Sequence, residues 1–277
     1  MNAIRKLPSD FRWCVSTLGC AELNIDETAA LAGEFGICEL ELRGLENELD
    51  LPAYFIRTFG SPDRLAKKLA DGGIRIAVLD TSLKLIGNTE KDREDFLRLV
   101  PWAEALQTPF LRVFDGGTSD PAQAPRHFRE AAKTVGWWQS LRKENGWQVD
   151  IAMETHDAIC SADACDAFEA SLERPCPILW DAHHTFHKSG EAITKTWERI
   201  RPFVRHIHFK DSIAEKNEIN DYTLAVPGEG RFPLVELFAM LRRDGYRGAV
   251  CLEWERKWQP WAEPLPKALE GLAQTLT

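Results

Sequence analysis

The chain has 277 residues, of which 44% are hydrophobic and 28% are charged, and its formal net charge is −9. This composition is typical of a globular protein with ample core, and it excludes a disordered or fibrous chain. The acidic balance argues against nucleic acid as a partner, because a negative surface repels phosphate backbones. The length is ordinary for a single α/β barrel, which typically needs about 250 residues.

The cysteines and the N-terminal segment bear on the cellular compartment. The seven cysteines are odd in number, and no pair has the C-x-x-C spacing of many metal or redox sites. We therefore expect reduced thiols and a cytoplasmic location. The first residues, MNAIRKLPSDFRW, contain no apolar signal region, and no run approaches the ~20 apolar residues of a membrane span. We predict that the chain has no membrane partner.

Short β-like runs alternate with helical stretches along the whole chain. The predicted strands are 11–17, 37–42, 74–80, 110–114, 149–154, 177–181, 204–209 and 249–254. The predicted helices are 27–35, a stretch that begins at Ser61-Pro62, 92–106, 125–144, 162–172, 191–200, 233–243 and 264–275. Eight strand–helix pairs in alternation indicate a parallel sheet, and eight is the number of strands that closes the common barrel. We predict the α/β class and a single (β/α)8 TIM barrel domain over residues 1–277.

Several strands alternate polar and apolar residues, although strands of a parallel sheet are usually apolar on both faces. The runs 206–210 (HIHFK), 251–255 (CLEWE) and 39–43 (ELELR) show this pattern. In a barrel, the apolar set packs outward against helices and the polar set points into the lumen. The alternative is an antiparallel sheet with one solvated face, and the helix after every strand argues against it.

Four polar residues lie at or near the ends of the last four predicted strands. Glu154 ends strand five, Asp181 ends strand six, His208 lies in strand seven and Glu253 ends strand eight. Polar residues at strand C-termini are where barrel enzymes place their active sites. Three carboxylates and one imidazole would bind one divalent metal ion, with Mn²⁺ as our first choice and Mg²⁺, Co²⁺ or Zn²⁺ as alternatives. Glu255 shares the parity of Glu253 and competes with it for the fourth position.

Two further strand ends carry charges that point toward the predicted lumen. Glu41 and Arg43 end strand two, and Arg112 lies in strand four. For each of them a lumen salt bridge and a substrate contact are both open, and we include Glu41 and Arg112 among the candidate substrate-binding residues.

Other histidines and one glycine-containing segment have structural explanations. His206 shares a face with His208 but lies deeper, which favours lumen packing. His183 and His187 are predicted in a loop. The segment 228–230 (GEG) could bind a phosphate through backbone N–H groups, but a plain turn is the simpler interpretation.

In this order and spacing, several short motifs resemble the xylose-isomerase-like barrel superfamily, in particular the sugar phosphate isomerase/epimerase family. That family includes ketose 3-epimerases, hydroxypyruvate isomerase and inosose dehydratase. The likeness runs from about Phe11 to the last predicted helix. The motifs are GICELELR at 36–43, METH at 153–156, DAHH at 181–184, HIHFKD at 206–211, PGEG at 227–230, and GYRG at 245–248 leading into LEWE.

The resemblance implies functions for individual residues. It places the metal ligands at Glu154, Asp181, His208 and Glu253, and a substrate-binding histidine at His184. Lys210 matches the lysine of a His-x-Lys-Asp variant, and we include it among the substrate contacts. The epimerase branch carries an arginine six residues after the metal histidine, where this chain has Ala214. This departure weakens the analogy with ketohexose epimerases.

The predicted activity is that of a metal-dependent isomerase or epimerase acting on a small sugar, ketose or polyol-derived carbonyl compound. A metal-stabilised enediolate would form when a carboxylate removes the α-proton, and Glu154 and Glu253 are the predicted acid/base pair. Loss of a β-hydroxyl from the same intermediate would make the protein an inosose-dehydratase-like lyase. A zinc-dependent DNA-repair endonuclease and a non-catalytic sugar-binding barrel are further alternatives. A homo-oligomer is compatible with the family, and substrate specificity is expected from the loops at 44–60, at 82–90 and after Lys210.

Overall fold

Eight parallel strands close into a barrel in the computed structural model, which describes residues 6–276. The barrel strands are β1 Arg12–Ser16, β2 Glu39–Leu42, β3 Arg75–Ile86, β4 Phe110–Gly116, β5 Asp150–Glu154, β6 Ile178–Asp181, β7 Val204–Phe209 and β10 Ala249–Leu252. They follow one another around the barrel in chain order, and β1 pairs with β10 to close it. Two short strands after β7, β8 Ser212–Ile213 and β9 Thr223–Leu224, form an antiparallel pair. The predicted (β/α)8 architecture is confirmed.

The helices surround the barrel. They are α1 Ile25–Glu34, α2 Leu51–Phe59, α3 Pro62–Asp71, α4 Glu90–Leu97, α5 Val100–Leu106, α6 Ala124–Asn145, α7 Ala162–Ala170, α8 Ala182–Ser189, α9 Ile193–Ile200, α10 Leu234–Arg243 and α11 Leu265–Thr275, with a 3₁₀ turn at Thr17–Cys20. Ser61 caps α3 as expected, because its side chain accepts the N–H of Arg64 at 3.4 Å. Within residues 6–276, no helix combines the length and hydropathy that crossing a bilayer requires.

Three predictions about local structure were wrong. The stretch 92–106, predicted as one helix, is split into α4 and α5, because Pro101 has no N–H to continue the hydrogen-bond ladder. The predicted loops contain regular structure, since 44–60 includes α2 and residues 82–86 of the loop at 82–90 belong to β3. His183 and His187 lie on α8, not in a loop, because the Asp181 side chain caps this helix at its start and Gly190 ends it in the left-handed conformation.

Strand parity divides the barrel as predicted. The outward residues of β7, Ile207 and Phe209, join the large apolar core between the strands and the helices, whereas the inward residues include His206 and His208. A small second cluster contains Cys14 and Cys251, on inward positions of β1 and β10. All seven cysteines are free, as expected from their number and spacing.

Candidate metal centre at the barrel mouth

The four predicted metal ligands meet at the carboxyl end of the barrel. Glu154 and Asp181 are the last residues of β5 and β6, His208 lies in β7, and Glu253 directly follows β10. The register pairs Asp181 with His208, and the N–H of Glu253 donates to the carbonyl of Phe209. One nitrogen or oxygen of each side chain lies within 4.8 Å of one from every other, and all four residues are buried. This donor set could hold a divalent cation.

The ring of His208 is oriented for such a cation. Its Nε2 lies 2.7 Å from Glu41 Oε2, whereas its Nδ1 lies 3.6 Å from Glu154 Oε1 and 3.4 Å from Glu253 Oε1. Nδ1 is buried and has no hydrogen-bond partner. Burial lowers the pKa of His208, but Glu41, Glu253 and Glu154 raise it well above its ordinary value. The same carboxylates favour a metal cation at Nδ1, since it would also bring positive charge.

Glu41 lies beneath the ligand group. One of its oxygens, Oε2, lies 3.0 Å from His206 Nε2 and 2.7 Å from His208 Nε2, and the residue is fully buried. Glu41 does not line the cavity above the ligands. A carboxylate on the far nitrogen of a ligating histidine sets the tautomer and orientation of the ring. The structure therefore places Glu41 where it orients His208, while its predicted contact with substrate gains no support from this position.

Lys210 lies behind the carboxylates. Its Nζ is 2.7 Å from Asp181 Oδ2, 2.5 Å from Glu253 Oε2 and 3.1 Å from Glu255 Oε1, and the side chain is fully buried. Burial lowers the pKa of Lys210, but the three carboxylates raise it well above its ordinary value. This ammonium group balances the charge of the acidic cluster. It does not line the cavity, so its predicted substrate contact remains a prediction.

Glu253 and Glu255 share a parity, and the structure separates them. Glu253 belongs to the group of four, with its Oε1 near His208. Glu255 contacts Lys210, and its Oε2 accepts the hydroxyl of Tyr222 at 3.3 Å. The geometry therefore favours Glu253 as the fourth ligand.

A cavity of about 270 Å³ opens above the ligand group. Its lining combines acidic, basic and apolar side chains, and it is formed by Leu18, Arg43, Arg112, Phe114, Glu154, His156, His184, Lys188, Ile219, Asn220, Tyr222, Glu253, Glu255 and Trp258. Its volume suits a small molecule in contact with the proposed ligands.

Two predicted substrate-binding residues, His184 and Arg112, line this cavity. His184 Nδ1 lies 3.1 Å from Asp181 Oδ2, and burial lowers the pKa of His184 well below its ordinary value, which favours the neutral imidazole. Arg112 lies 3.3 Å from Glu154 Oε2 and 3.2 Å from Asp80 Oδ2. Arg112 therefore forms the lumen salt bridge that was one of its two open alternatives, and it also faces the cavity.

His156 is a cavity residue to which the sequence reasoning assigned no role. Its ring packs edge-on against His184, with the centroids 4.7 Å apart, and its Nδ1 lies 2.8 Å from Asp157 Oδ1. Burial lowers the pKa of His156, but Asp157 and Glu154 raise it above its ordinary value. The sequence feature that could have identified His156 is its place in the METH motif, two residues after Glu154. Asp115 supports this loop by accepting the N–H of Asp157 at 2.8 Å.

The GEG segment is a turn around a carboxylate of the chain itself. Asp211 Oδ2 accepts the N–H groups of Gly228 and Gly230 at 2.9 and 3.0 Å, and its Oδ1 accepts that of Phe232 at 3.0 Å. The backbone donors that could have held a phosphate are thus already used by Asp211. Ala214, the residue that departs from the epimerase pattern, follows β8 directly.

Several known proteins are similar to this chain. It is 26% identical over 244 residues to an inosose dehydratase of Mesomycoplasma hyopneumoniae, a stretch that is 77% of this chain and 80% of that protein. For three other bacterial inosose dehydratases, the chain spans about half of their length, between 42% and 54%.

Solved structures share the fold. The probable 3-DHS dehydratase AsbF of Bacillus anthracis aligns with a TM-score of 0.77 at 18% identity, over 96% of this chain and 98% of its own. An IOLI protein with a bound zinc atom aligns with a TM-score of 0.74 at 16% identity, over 96% of each chain. A model of the xylose isomerase-like TIM barrel family matches residues 29–275. This match spans most of the chain and agrees with the motifs and the barrel, so the protein belongs to the xylose isomerase-like TIM barrel family.

Proposed function

We propose that the protein is a metal-dependent lyase that removes water from a small polyhydroxylated ketone. The observation that carries this proposal is the convergence of three carboxylates and His208 within 4.8 Å, where His208 Nδ1 has no hydrogen-bond partner and two of the carboxylates, Glu154 and Glu253, line a cavity. The choice of a lyase over an isomerase is supported by the relatives, several of which are named inosose dehydratase, and by the dehydratase among the structures that share the fold.

The proposed metal site consists of Glu154, Asp181, His208 and Glu253. A divalent cation bound there would polarise the substrate carbonyl and stabilise the negative charge that develops when the α-proton leaves. Three oxygen ligands and one nitrogen ligand suit Mn²⁺, Mg²⁺, Co²⁺ or Zn²⁺. Zinc is supported by the similar barrel that binds it, and Mn²⁺ remains the prediction from the ligand types.

Loss of water requires a base for the α-proton and an acid for the departing hydroxyl. Glu154 and Glu253 both line the cavity, and we propose that one of them takes the proton. His156 and His184 face the same cavity and can donate an N–H proton to the leaving hydroxyl. His156 is better suited than His184 as the proton donor, because its raised pKa keeps a larger fraction of its imidazole protonated.

The second candidate is the isomerase or epimerase predicted from the sequence. The observation in its favour is that two carboxylates, Glu154 and Glu253, line one cavity, so one could remove a proton and the other return it. Both candidates begin with the same proton abstraction, and they differ only in whether a β-hydroxyl leaves afterward.

One experiment separates these possibilities. The protein is incubated in ²H₂O with a panel of inososes and ketoses, α-proton exchange is followed by NMR, and enone formation is followed by ultraviolet absorbance. The lyase predicts enone that is lost in Glu154→Gln and retained in Asp71→Asn, a change at a mostly exposed side chain on α3. Exchange with a new sugar product and no enone would support the isomerase. Binding without exchange would overturn both and favour a sugar-binding barrel.

A further inference from the structure

Arg43 lies at the edge of the candidate site, directly after β2. Its backbone N–H donates to Thr17 Oγ1 at 2.9 Å, which anchors this position to the turn after β1. Its side chain lines the cavity of about 270 Å³ above the metal ligands and also a neighbouring cavity of about 440 Å³. Arg43 therefore stands where the two spaces adjoin.

The guanidinium of Arg43 has no acidic partner. Its Nη2 donates to Ser82 Oγ at 3.1 Å, and no carboxylate oxygen within residues 6–276 lies within 4.0 Å of it. The buried cations of the site differ, because Arg112 pairs with Asp80 and Glu154 and Lys210 contacts three carboxylates. Burial and the nearby charge of Arg112 lower the pKa of Arg43, and the more distant charges of Asp80 and Glu154 offset this only in part.

Lys188 is a second cation on the cavity wall without an acidic partner in the described part of the chain. Its Nζ donates to the carbonyl of His156 at 2.6 Å. Lys188 is exposed and Arg43 is half-buried, so both can reach an anion in the cavity, whereas the carboxylates that line it are held by Arg112 and Lys210. The protein carries a net charge of −9, so the absence of carboxylates at these two positions is not explained by a shortage of acidic residues.

We propose that Arg43 binds a carboxylate group of the substrate, with Lys188 adding positive charge at the same cavity. A guanidinium presents a planar pair of N–H donors that matches the two oxygens of a carboxylate. The proposed substrate class is therefore a polyhydroxylated ketone that carries a carboxylate, not a neutral sugar. This inference rests on the proposed function only in taking the cavity as the substrate site.

The test measures binding and needs no turnover. Quinate, a polyhydroxylated ring carboxylate, is compared with quinamide, its uncharged amide, and with inositol 1-phosphate, by calorimetry on the purified protein with its metal content determined. A charge-assisted pair of hydrogen bonds predicts that quinate binds at least about 10-fold more tightly than quinamide. Arg43→Gln should reduce this preference to less than about 3-fold, and Arg43→Lys should keep part of it. Arg57→Gln, on an exposed face of α2, is the control that should keep all of it.

Three outcomes would overturn the inference. These are equal binding of quinate and quinamide, a preference for quinate that persists in Arg43→Gln, and tighter binding of inositol 1-phosphate than of quinate. A lost preference in correctly folded Arg43→Gln supports it. If the preference is present but no ketone is dehydrated, the proposed lyase fails and the carboxylate site stands. If neutral ketones are dehydrated and the preference for quinate is absent, the proposed lyase stands and the proposed carboxylate site fails.

Discussion

Replacing Glu41 by glutamine tests whether a carboxylate beneath the barrel mouth controls the metal ligand above it. Glu41 Oε2 is 2.7 Å from His208 Nε2, on the side of the ring away from the other proposed ligands. Glutamine keeps the size but removes the charge, and its NH₂ group can face Nε2 and move the ring proton to Nδ1. Loss of such a partner typically weakens metal binding by about 10- to 100-fold. This corresponds to about 1.4 to 2.8 kcal/mol of binding free energy.

Competition with a chelator measures that affinity for Zn²⁺ and Mn²⁺. The matched control is Glu39→Gln, two residues earlier on the same strand, where the carboxylate is held by Arg12 and Arg75 away from the ligands. We expect Glu39→Gln to bind metal as the wild type does. A folded Glu41→Gln variant with unchanged metal affinity would refute the proposed role of Glu41.

Three further predictions concern stability. Lys210→Met leaves three carboxylates facing one another, so urea unfolding of the metal-depleted protein should show a free energy of unfolding lower by about 3–5 kcal/mol. A decrease below about 1 kcal/mol would contradict the proposed charge balance. Burial lowers the pKa of His183 well below 6.5, so this side chain gains a proton in the unfolded protein but not in the folded protein as the pH falls toward 5.5. Between pH 6.5 and 5.5 the free energy of unfolding of the wild type should therefore fall by about 1 kcal/mol more than that of His183→Gln, and parallel pH profiles would contradict this. A Cβ on Gly230 would lie 2.0 Å from Asp211 Oδ1, so Gly230→Ala should cost about 1–3 kcal/mol in thermal unfolding, whereas Gly136→Ala, with open space on α6, should cost nothing.

The fold was predictable because it depends on local patterns. Each strand of the barrel is a short apolar or alternating run, and each is followed by a helical stretch in the sequence. Parity along β7 correctly placed His206 and His208 on the inside. The errors occurred where a side chain outside the pattern sets the structure, as at Asp181, whose carboxylate starts α8 directly after β6.

The sequence indicated which strands contribute residues to the candidate site, but it did not indicate which side chains contact one another there. Glu154, Asp181 and His208 come from adjacent strands, so their convergence follows from the topology. Glu253 and Glu255 share a face, and only three-dimensional contacts show that Glu255 turns to Lys210 and Tyr222. The positions of Glu41 and Lys210 behind the ligands depend on side-chain depth, which strand periodicity does not encode.

Metal content is the most direct test of the central claim, that Glu154, Asp181, His208 and Glu253 hold one divalent ion. The measurement compares the wild type with Glu253→Gln and Glu255→Gln, two like substitutions that both remove a partner of Lys210. After purification and dialysis against buffer with Zn²⁺ or Mn²⁺, bound metal is counted by mass spectrometry. We predict one ion per chain in the wild type and in Glu255→Gln, and far less than one in Glu253→Gln. Equal metal content in the two variants, or none in the folded wild type, would contradict the account.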